Sequence, residues 1–317
     1  MTWRAAIARL GRRTGQSLIT IIGVVVLTFC LVRFIPGNPV LTLLGSQATP
    51  EAVAALTAEY HLNDSFVQQF GAFVGGLLHG DLGHSLVQGT SVNSIVFQAL
   101  PVTLAVVLFG MAIGVVIGIL LGLAAALSRY KAVDTAVRTW AIVMTTTPTF
   151  LVALLLILFF ALDLRWFPAG GWPGHYPQNI TYLVMPAIAM SLPVITPQTA
   201  RAVRRGALDI ADQQFMEAAR SRGLSRRALV LRHVLPNSAL PVITLLGISF
   251  GLLLTGAIFA EAVFDLPGLG SQMTIAVQGR DYPVIQGIAL VSAVGVILGN
   301  LVAEIAYTLV DPRARRS

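Results

Sequence analysis

The chain has 317 residues, 56% of them apolar and 11% charged, with a mean hydropathy of +0.79; soluble domains carry about 25% charged residues, so the composition argues against life in water. The formal charge is +7, yet the 21 basic residues comprise one lysine, Lys131, and twenty arginines. That excludes a P-loop ATPase, whose Walker A motif needs a Lys before Ser or Thr to reach the phosphates, because Lys131 is followed by Ala132. The single cysteine, Cys30, lies in an apolar run and makes neither an internal disulfide nor a zinc site of the usual kind.

Roughly 20 mainly apolar residues are needed to cross about 30 Å of hydrocarbon. Six runs qualify: 17–34, 101–127, 139–162, 181–200, 239–260 and 284–309. Basic residues are retained on the cytoplasmic side. Four precede the first run, three lie between the second and third, eight run from Arg201 to Arg232, and three follow Asp311, against only Arg33, Arg165 and Arg280 on the other side. The reading is an all-α integral membrane protein of six transmembrane helices with N and C termini cytoplasmic. The basic excess is thereby topological, and a nucleic-acid partner, which needs a basic face with stacking aromatics, has no support.

In chain order, residues 1–16 form a cytoplasmic segment in which Trp3, Ala6, Ile7 and Leu10 share a helical face flanked by Arg4, Arg9, Arg12 and Arg13. It reads either as a helix lying on an anionic membrane surface or as a solvated basic end. The first span, 17–34, has a long apolar stretch and no small-residue cleavage site after it, so it is retained rather than removed as a signal. Residues 35–100 form an external segment without Lys or Arg. Thr49, Pro50 and Glu51 supply a cap, a first-turn proline and an acid at the positive dipole end of a short helix, and a second helix follows Asp64 and Ser65. The segment is either a docking surface or a lid packed on the bundle.

The remaining five spans occupy 101–310, followed by a cytoplasmic tail over 311–317. Gly110, Gly114, Gly118 and Gly122 recur every four residues, so one face of the second span carries no side chains and another helix can approach closely; that helix belongs either to the same bundle or to a partner subunit. Pro186, Pro193 and Pro197 interrupt the fourth span. Such breaks are tolerated in lipid where the helix faces protein or a water-filled path, which makes these prolines candidates for lining a pathway. Glu304 is the one charged residue placed inside a span, on the order of 10 Å from its cytoplasmic end, and reads as a structural ion pair rather than part of a relay.

Two motifs suggest chemistry and are set aside. Gly247–Ile248–Ser249–Phe250–Gly251 matches the G-x-S-x-G nucleophile pattern, which requires a sharp strand-to-helix turn and a nearby base; here it lies in an apolar helix, and all five histidines fall outside the spans. His79, Asp81 and His84 fit no standard metal spacing. No catalytic and no metal residues are assigned, and no cofactor is expected in this chain.

The longest cytoplasmic segment, 201–238, carries Gln214–Phe215–Met216–Glu217–Ala218–Ala219–Arg220 and then Gly223, a residue suited to ending a helix. A second apolar and basic helix follows from Ser225 to a stop at Leu235–Pro236. Two short helices around a bend form a knob whose small Ala218 and Ala219 allow close seating in another protein, with Glu217 able to pair with an arginine there.

This segment resembles the EAA loop of ABC importer permeases at Glu217, Ala218, Ala219, Gly223, Leu235 and Pro236, with His233 where the family often has an apolar residue. Pro36–Gly37–Asn38–Pro39 resembles the family's external PGDP stretch, with Asn for Asp. Leu78–His79–Gly80–Asp81–Leu82–Gly83, the run from Glu261 to Gly270 and Arg280–Asp281–Tyr282–Pro283 are similar to further family stretches. Together they span essentially the whole chain and point to the first permease subunit of the dipeptide, oligopeptide and nickel importers, the DppB/OppB type.

The resemblance implies the type I ABC importer permease fold and a multi-pass place in the bacterial cell membrane. It implies four kinds of partner: membrane lipid, a homologous second permease (DppC/OppC-like), two ABC ATPase subunits (DppD/DppF-like) that bind ATP and Mg and receive the knob as a coupling helix, and an extracytoplasmic substrate-binding protein (DppA/OppA-like). Glu261, Asp265 and Gly268 become candidates for docking or gating. Dipeptides or oligopeptides are the expected cargo, with nickel, glutathione or other small solutes as the alternative, and a secondary transporter without ATPase partners as the distant one. Against the last stand the missing mid-membrane charges and the missing inverted repeat.

Overall fold

The computed structural model of the chain describes residues 3–34, 39–44, 48–59, 63–174, 179–211, 228 and 230–310. It is all-helical, 83% helix, with no strand among the described residues. The described helices are α1 (Trp3–Phe34), α2 (Pro39–Leu44), α3 (Pro50–Glu59), α4 (Phe66–Leu78), α5 (Val92–Leu127), α6 (Lys131–Thr146), α7 (Thr149–Leu156), α8 (Asn179–Ala211), α9 (Leu235–Val263), α10 (Leu269–Gly279) and α11 (Tyr282–Val310). Two π-helical stretches, Ile157–Asp163 and Val230–Val234, extend α7 and lead into α9. Among the described residues four helices are long and apolar enough to cross a membrane, or five if α6 and α7 with its extension count as one broken crossing.

The chain divides into two compact units. One is Thr2–Thr103 with Pro267–Ile297. In it, α1 is one continuous helix, so the basic segment and the apolar run that follows are parts of a single element. Its apolar stretch covers Gly15–Cys30, shorter by itself than a crossing needs. The helix expected after Thr49 starts at Pro50, with the Ala52 N–H donating to Thr49 Oγ1 at 3.2 Å. The one expected after Asp64 and Ser65 is α4, where Ser65 and Gln68 form a complete capping box.

The second span had been expected to begin at 101, but its helix starts at Val92 and runs through Pro101. Asn93, Ser94 and Gln98 dilute the hydropathy of these turns. Even so, Val92, Ile95, Val96 and Ala99 recur at helical spacing and are buried against Leu269, Ala276, Val284 and Ile288.

The other unit is Leu104–Leu266 with Leu298–Ser317. Its centre is α8, where 61% of the most apolar window is buried, against 28% in α5. The glycine face of α5 lies on α8. A Cβ built at Gly118 would stand 2.6 Å from Thr199 Cβ, one at Gly122 would stand 2.6 Å from the Ala200 carbonyl oxygen, and one at Gly114 would overlap Ile195. The pairings advance together along both helices, from Gly110 on Ala187 to Gly122 on Val203, so α5 and α8 run parallel and the chain between them returns to its starting side.

That return is not one unbroken helix over 139–162. It is broken at Thr147–Pro148, where the two arms bend by 107°. The physical reason is local. Proline excludes the helical conformation for the residue before it, and Thr147 is extended at φ −84°, ψ 126°. Thr145, Thr146 and Thr147 turn their hydroxyls back onto carbonyls of their own helix, which further favours a bend.

Helix α9 runs antiparallel to α8, since Gly206 near the end of α8 meets Ser238 near the start of α9. The last part of α11 runs antiparallel to α9, with Gly247 against Ala303 and Gly299 against the Phe250 ring. The C-terminal ends of α5, α8 and α11 therefore lie on one side of this unit. The fourth span, expected to stop at 200, continues as helix to Ala211, so Arg201, Arg204 and Arg205 ride on α8 rather than in a loop.

Candidate functional site

Between the end of α8 and the start of α9 lies the stretch that contains Glu217, Ala218, Ala219 and Gly223; these four fall outside the described residues. What the structure gives is the pair of helix ends that flank it, called here the stem. Ala207 and Ile210 of α8 and Val234 before α9 are buried together, with Leu123 and Ala126 of α5 packed against them. A Cβ at Gly206 would lie 2.6 Å from Ser238 Oγ, so a larger residue there would have to turn the Ser238 hydroxyl aside. Arg204 of α8 forms a two-pronged pair with Asp134 of α6, Nε to Oδ1 at 2.5 Å and Nη2 to Oδ2 at 2.7 Å, and both side chains are 24% exposed. Four helices, α5, α6, α8 and α9, thus meet at this stem. Neither Arg204 nor Asp134 was singled out from sequence; the available signal was an acid in the first turn of α6, and it carries no information about its distant partner.

Leu235 and Pro236 do not close a helix, as had been expected. The π-helical turn Val230–Val234 passes directly into α9, and Pro236 occupies its first turn, where a missing N–H costs nothing. Helix α9 also reaches Val263, beyond the expected 260, which brings Glu261 into an apolar helix that satisfies the length and hydropathy of a crossing. Glu261 is fully buried, so Glu304 is not the only acid within a span. Its burial means that the Glu261 side chain presents no surface to a docking protein unless the helix end rearranges. Asp265 stands in a left-handed turn at φ 51° after α9, and Gly268 is the N-cap of α10.

The three prolines Pro186, Pro193 and Pro197 all lie inside α8, which remains helical through them, and all three are buried. Around them the hydroxyls of Thr196 and Thr199 are buried without a hydrogen-bond partner. A pocket of about 440 Å³ opens between α9 and the end of α11, lined by Thr244, Gly247, Ile248, Asn300, Ala303 and Glu304. Ser249 is buried in the middle of α9, with no strand-to-helix turn about it. Among the described residues no three His, Cys, Asp or Glu side chains are grouped to hold a metal ion.

In the Thr2–Thr103 and Pro267–Ile297 unit, two stretches that resemble family motifs meet. Asp281, 1% exposed, accepts a hydrogen bond from Ser85 Oγ and further ones from the backbone N–H groups of Leu86 and Val87, each at 3.2 Å. Asn93 braces the same loop, accepting from the Leu82 N–H at 2.9 Å and donating to the Gly80 carbonyl at 2.6 Å. Arg280, left-handed at φ 53°, ends α10 and turns the chain so that Asp281 points into the loop.

The described residues form a helical scaffold with apolar helices long enough to cross a membrane. Comparison with known proteins gives it a family. Residues 114–316 match the binding-protein-dependent transport system inner membrane component, and residues 7–107 match the N-terminal region of the same class. The di/tripeptide transport system permease DppB of Pseudomonas aeruginosa is 33% identical over 96% of this chain and 98% of its own length. The oligopeptide permeases AppB of Bacillus subtilis and OppB of Haemophilus influenzae are each 31% identical over 95–96% of this chain. Among solved structures, a chain of the inward-facing MetNI methionine ABC transporter aligns at a TM-score of 0.55, with 18% identity, covering 68% of this chain and 95% of that one; this likeness is of fold.

The chain belongs to the family of binding-protein-dependent transport system inner membrane components. It is the permease subunit of an ABC importer and a multi-pass protein of the plasma membrane, not itself catalytic.

Proposed function

We propose that this chain imports dipeptides or oligopeptides as one of two homologous permeases, of the DppB/OppB and DppC/OppC types, that together form the path. Two DppD/DppF-like ATPases bind and hydrolyse ATP with Mg on the cytoplasmic side, and a DppA/OppA-like binding protein delivers the cargo outside. The observation that carries the reading is that relatives named for peptide transport align over 95–96% of the chain, end to end rather than in one motif.

Six crossings with both termini cytoplasmic complete the topology, with α1 as the first and the bent pair of α6 and α7 as the third. The parallel run of α5 and α8 supports the third, since the chain between them has to recross. The stem supports a coupling role for the stretch from Glu217 to Gly223. A closing ATPase that pulls on this stretch pulls on α8, the most buried of the described crossing-length helices, and α8 carries α5 with it through the glycine seam. The path then opens outward without any bond being made or broken in this chain.

The test is purification of the tagged chain in mild detergent with mass spectrometry of what accompanies it, alongside uptake by Glu217→Arg and Gly223→Asp. A second permease and P-loop ATPases are expected with the wild type, and loss of peptide uptake with membrane insertion retained in both variants. Wild-type uptake by both variants overturns the coupling role, and a chain that transports alone on an ion gradient overturns the ABC reading.

A further inference from the structure

The segment before α5 contains a surface that the importer reading leaves without a role. Apolar residues of α4 fall at i, i+1, i+4, i+7, i+8, i+11 and i+12 from Phe66 to Leu78, which gathers them on one face of the helix. The opposite face carries Gln68, Gln69 and Ala72, and α4 has no charged residue at all. Part of the apolar face is occupied. Phe66, Phe70 and Phe73 surround the Phe29 ring of α1 at centroid distances of 5.2, 5.0 and 5.6 Å, and Phe29 is 1% exposed. The rest is open, with Val67 76% and Leu78 82% exposed.

Three features identify what covers it. Phe29 lies at the end of the apolar stretch Gly15–Cys30, whose Ile19, Ile22 and Leu27 are themselves mostly exposed; α4 is therefore clamped beside the end of an exposed apolar stretch. At about 20 Å, α4 is too short to cross the bilayer. Both of its ends are polar, with Asp64 and Ser65 before it and His79 and Asp81 after it. A helix with two wet ends and an apolar side between them satisfies both when it lies flat.

We propose that α4 lies along the external face of the membrane with Val67 and Leu78 among the lipid chains, so that the occupant of its open face is the bilayer itself. This rests on the reading of α1 as a crossing helix. The lipid then sets the height of the loop that begins at His79 and is latched by Asp281, because α4 leads directly into it.

The experiment uses the intact importer complex in vesicles of phosphatidylethanolamine and phosphatidylglycerol. In a Cys30→Ser background, Val67→Cys, Leu78→Cys, Ala72→Cys and Ile19→Cys are each labelled with an NBD fluorophore and quenched either by lipid carrying a nitroxide near the headgroup or by aqueous iodide. The expected result is that lipid quenches the probes at positions 67 and 78 several-fold more than iodide does, with the order reversed at 72 and a strong lipid effect at 19. Equal iodide access at 67, 72 and 78 with lipid quenching retained at 19 overturns the proposal while leaving α1 as a span. Shielding of 67 and 78 only after the binding protein is added overturns it in favour of a protein occupant. Absence of lipid quenching at 19 removes α1 as a span and the placement of α4 with it.

Discussion

Ser85 and Asp281 lie 196 positions apart in sequence and meet in a buried hydrogen bond, the Ser85 hydroxyl donating to the Asp281 carboxylate. The same carboxylate accepts from the two backbone N–H groups that follow Ser85 closely, Leu86 and Val87, and Ser85 Oγ in turn accepts from the Gln88 N–H at 2.8 Å. One buried acid thus reinforces a turn that the chain also closes with the Ser85 N–H to Thr90 carbonyl bond at 2.8 Å and the Val92 N–H to Gly83 carbonyl bond at 2.9 Å.

Asp281→Asn removes the charge that strengthens three acceptor contacts, and its amide nitrogen brings a donor to a place where the neighbours also donate. The expected cost is about 1–3 kcal/mol, read as a lower Tm of the purified complex. Asp281→Ala, which leaves the Ser85 hydroxyl and both N–H groups without an acceptor, is expected to cost more than Asp281→Asn. Equal Tm for wild type and both variants would show that the latch adds nothing to stability.

The α5–α8 seam makes opposite predictions for two kinds of glycine. Gly114 has no room for a Cβ beside Ile195 and Ser191, whereas around Gly256 of α9 nothing lies within 4 Å. Gly114→Leu is expected to cost at least about 1–3 kcal/mol through overpacking and to reduce the assembled complex recovered from membranes. Gly256→Ala is expected to be neutral or to gain up to about 1 kcal/mol, because alanine is the better helix former. Complex yield and Tm of the two variants, measured side by side, decide whether close approach or glycine content is what matters.

Thr196 and Thr199 present buried hydroxyls with no partner to the same seam. A buried hydroxyl without an acceptor carries its desolvation cost unrecovered, so Thr196→Val, which keeps the branched shape, is expected to leave Tm unchanged or raise it. A fall in Tm of the same size as that of a lost hydrogen bond, about 1 kcal/mol, would show that the hydroxyl is bound by something other than the chain itself.

The sequence made much of this scaffold legible, and for identifiable reasons. The glycine spacing of α5 is a local signal, and so are the Thr49 and Ser65 helix starts; each depends on residues within a few positions. Helix ends were less legible. Val92 to Leu100 were assigned to the external segment because hydropathy averages over Asn93, Ser94 and Gln98, and Pro236 was read as a stop although proline serves equally in a first turn. The break at Thr147–Pro148 was locally encoded, but a long apolar run concealed it. Glu261 escaped notice as a buried acid by lying one residue past the assigned end of its span. Asp281 with Ser85 and Asp134 with Arg204 could not be found in this way at all, because the pairing is made by the packing of distant helices.

The Asp134–Arg204 pair is where stability and coupling can be told apart. It is partly solvated, so its worth to stability is modest, about 0.5–1 kcal/mol, even with two-pronged geometry. Yet it ties α6 to the last turns of α8, seven residues before Ala211, where the chain leads on to the stretch proposed for coupling. Asp134→Arg and Arg204→Asp, each leaving two like charges face to face, are expected to lower peptide uptake much more than Tm, while ATP hydrolysis by the complex continues. The double exchange restores opposite charges with reversed polarity and is expected to recover part of the uptake. Measuring uptake and ATP hydrolysis on the same preparations separates the outcomes. If both fall in proportion to Tm, the pair is an ordinary staple; if hydrolysis persists while uptake is lost and the exchange rescues it, the pair carries motion from the stem into the bundle.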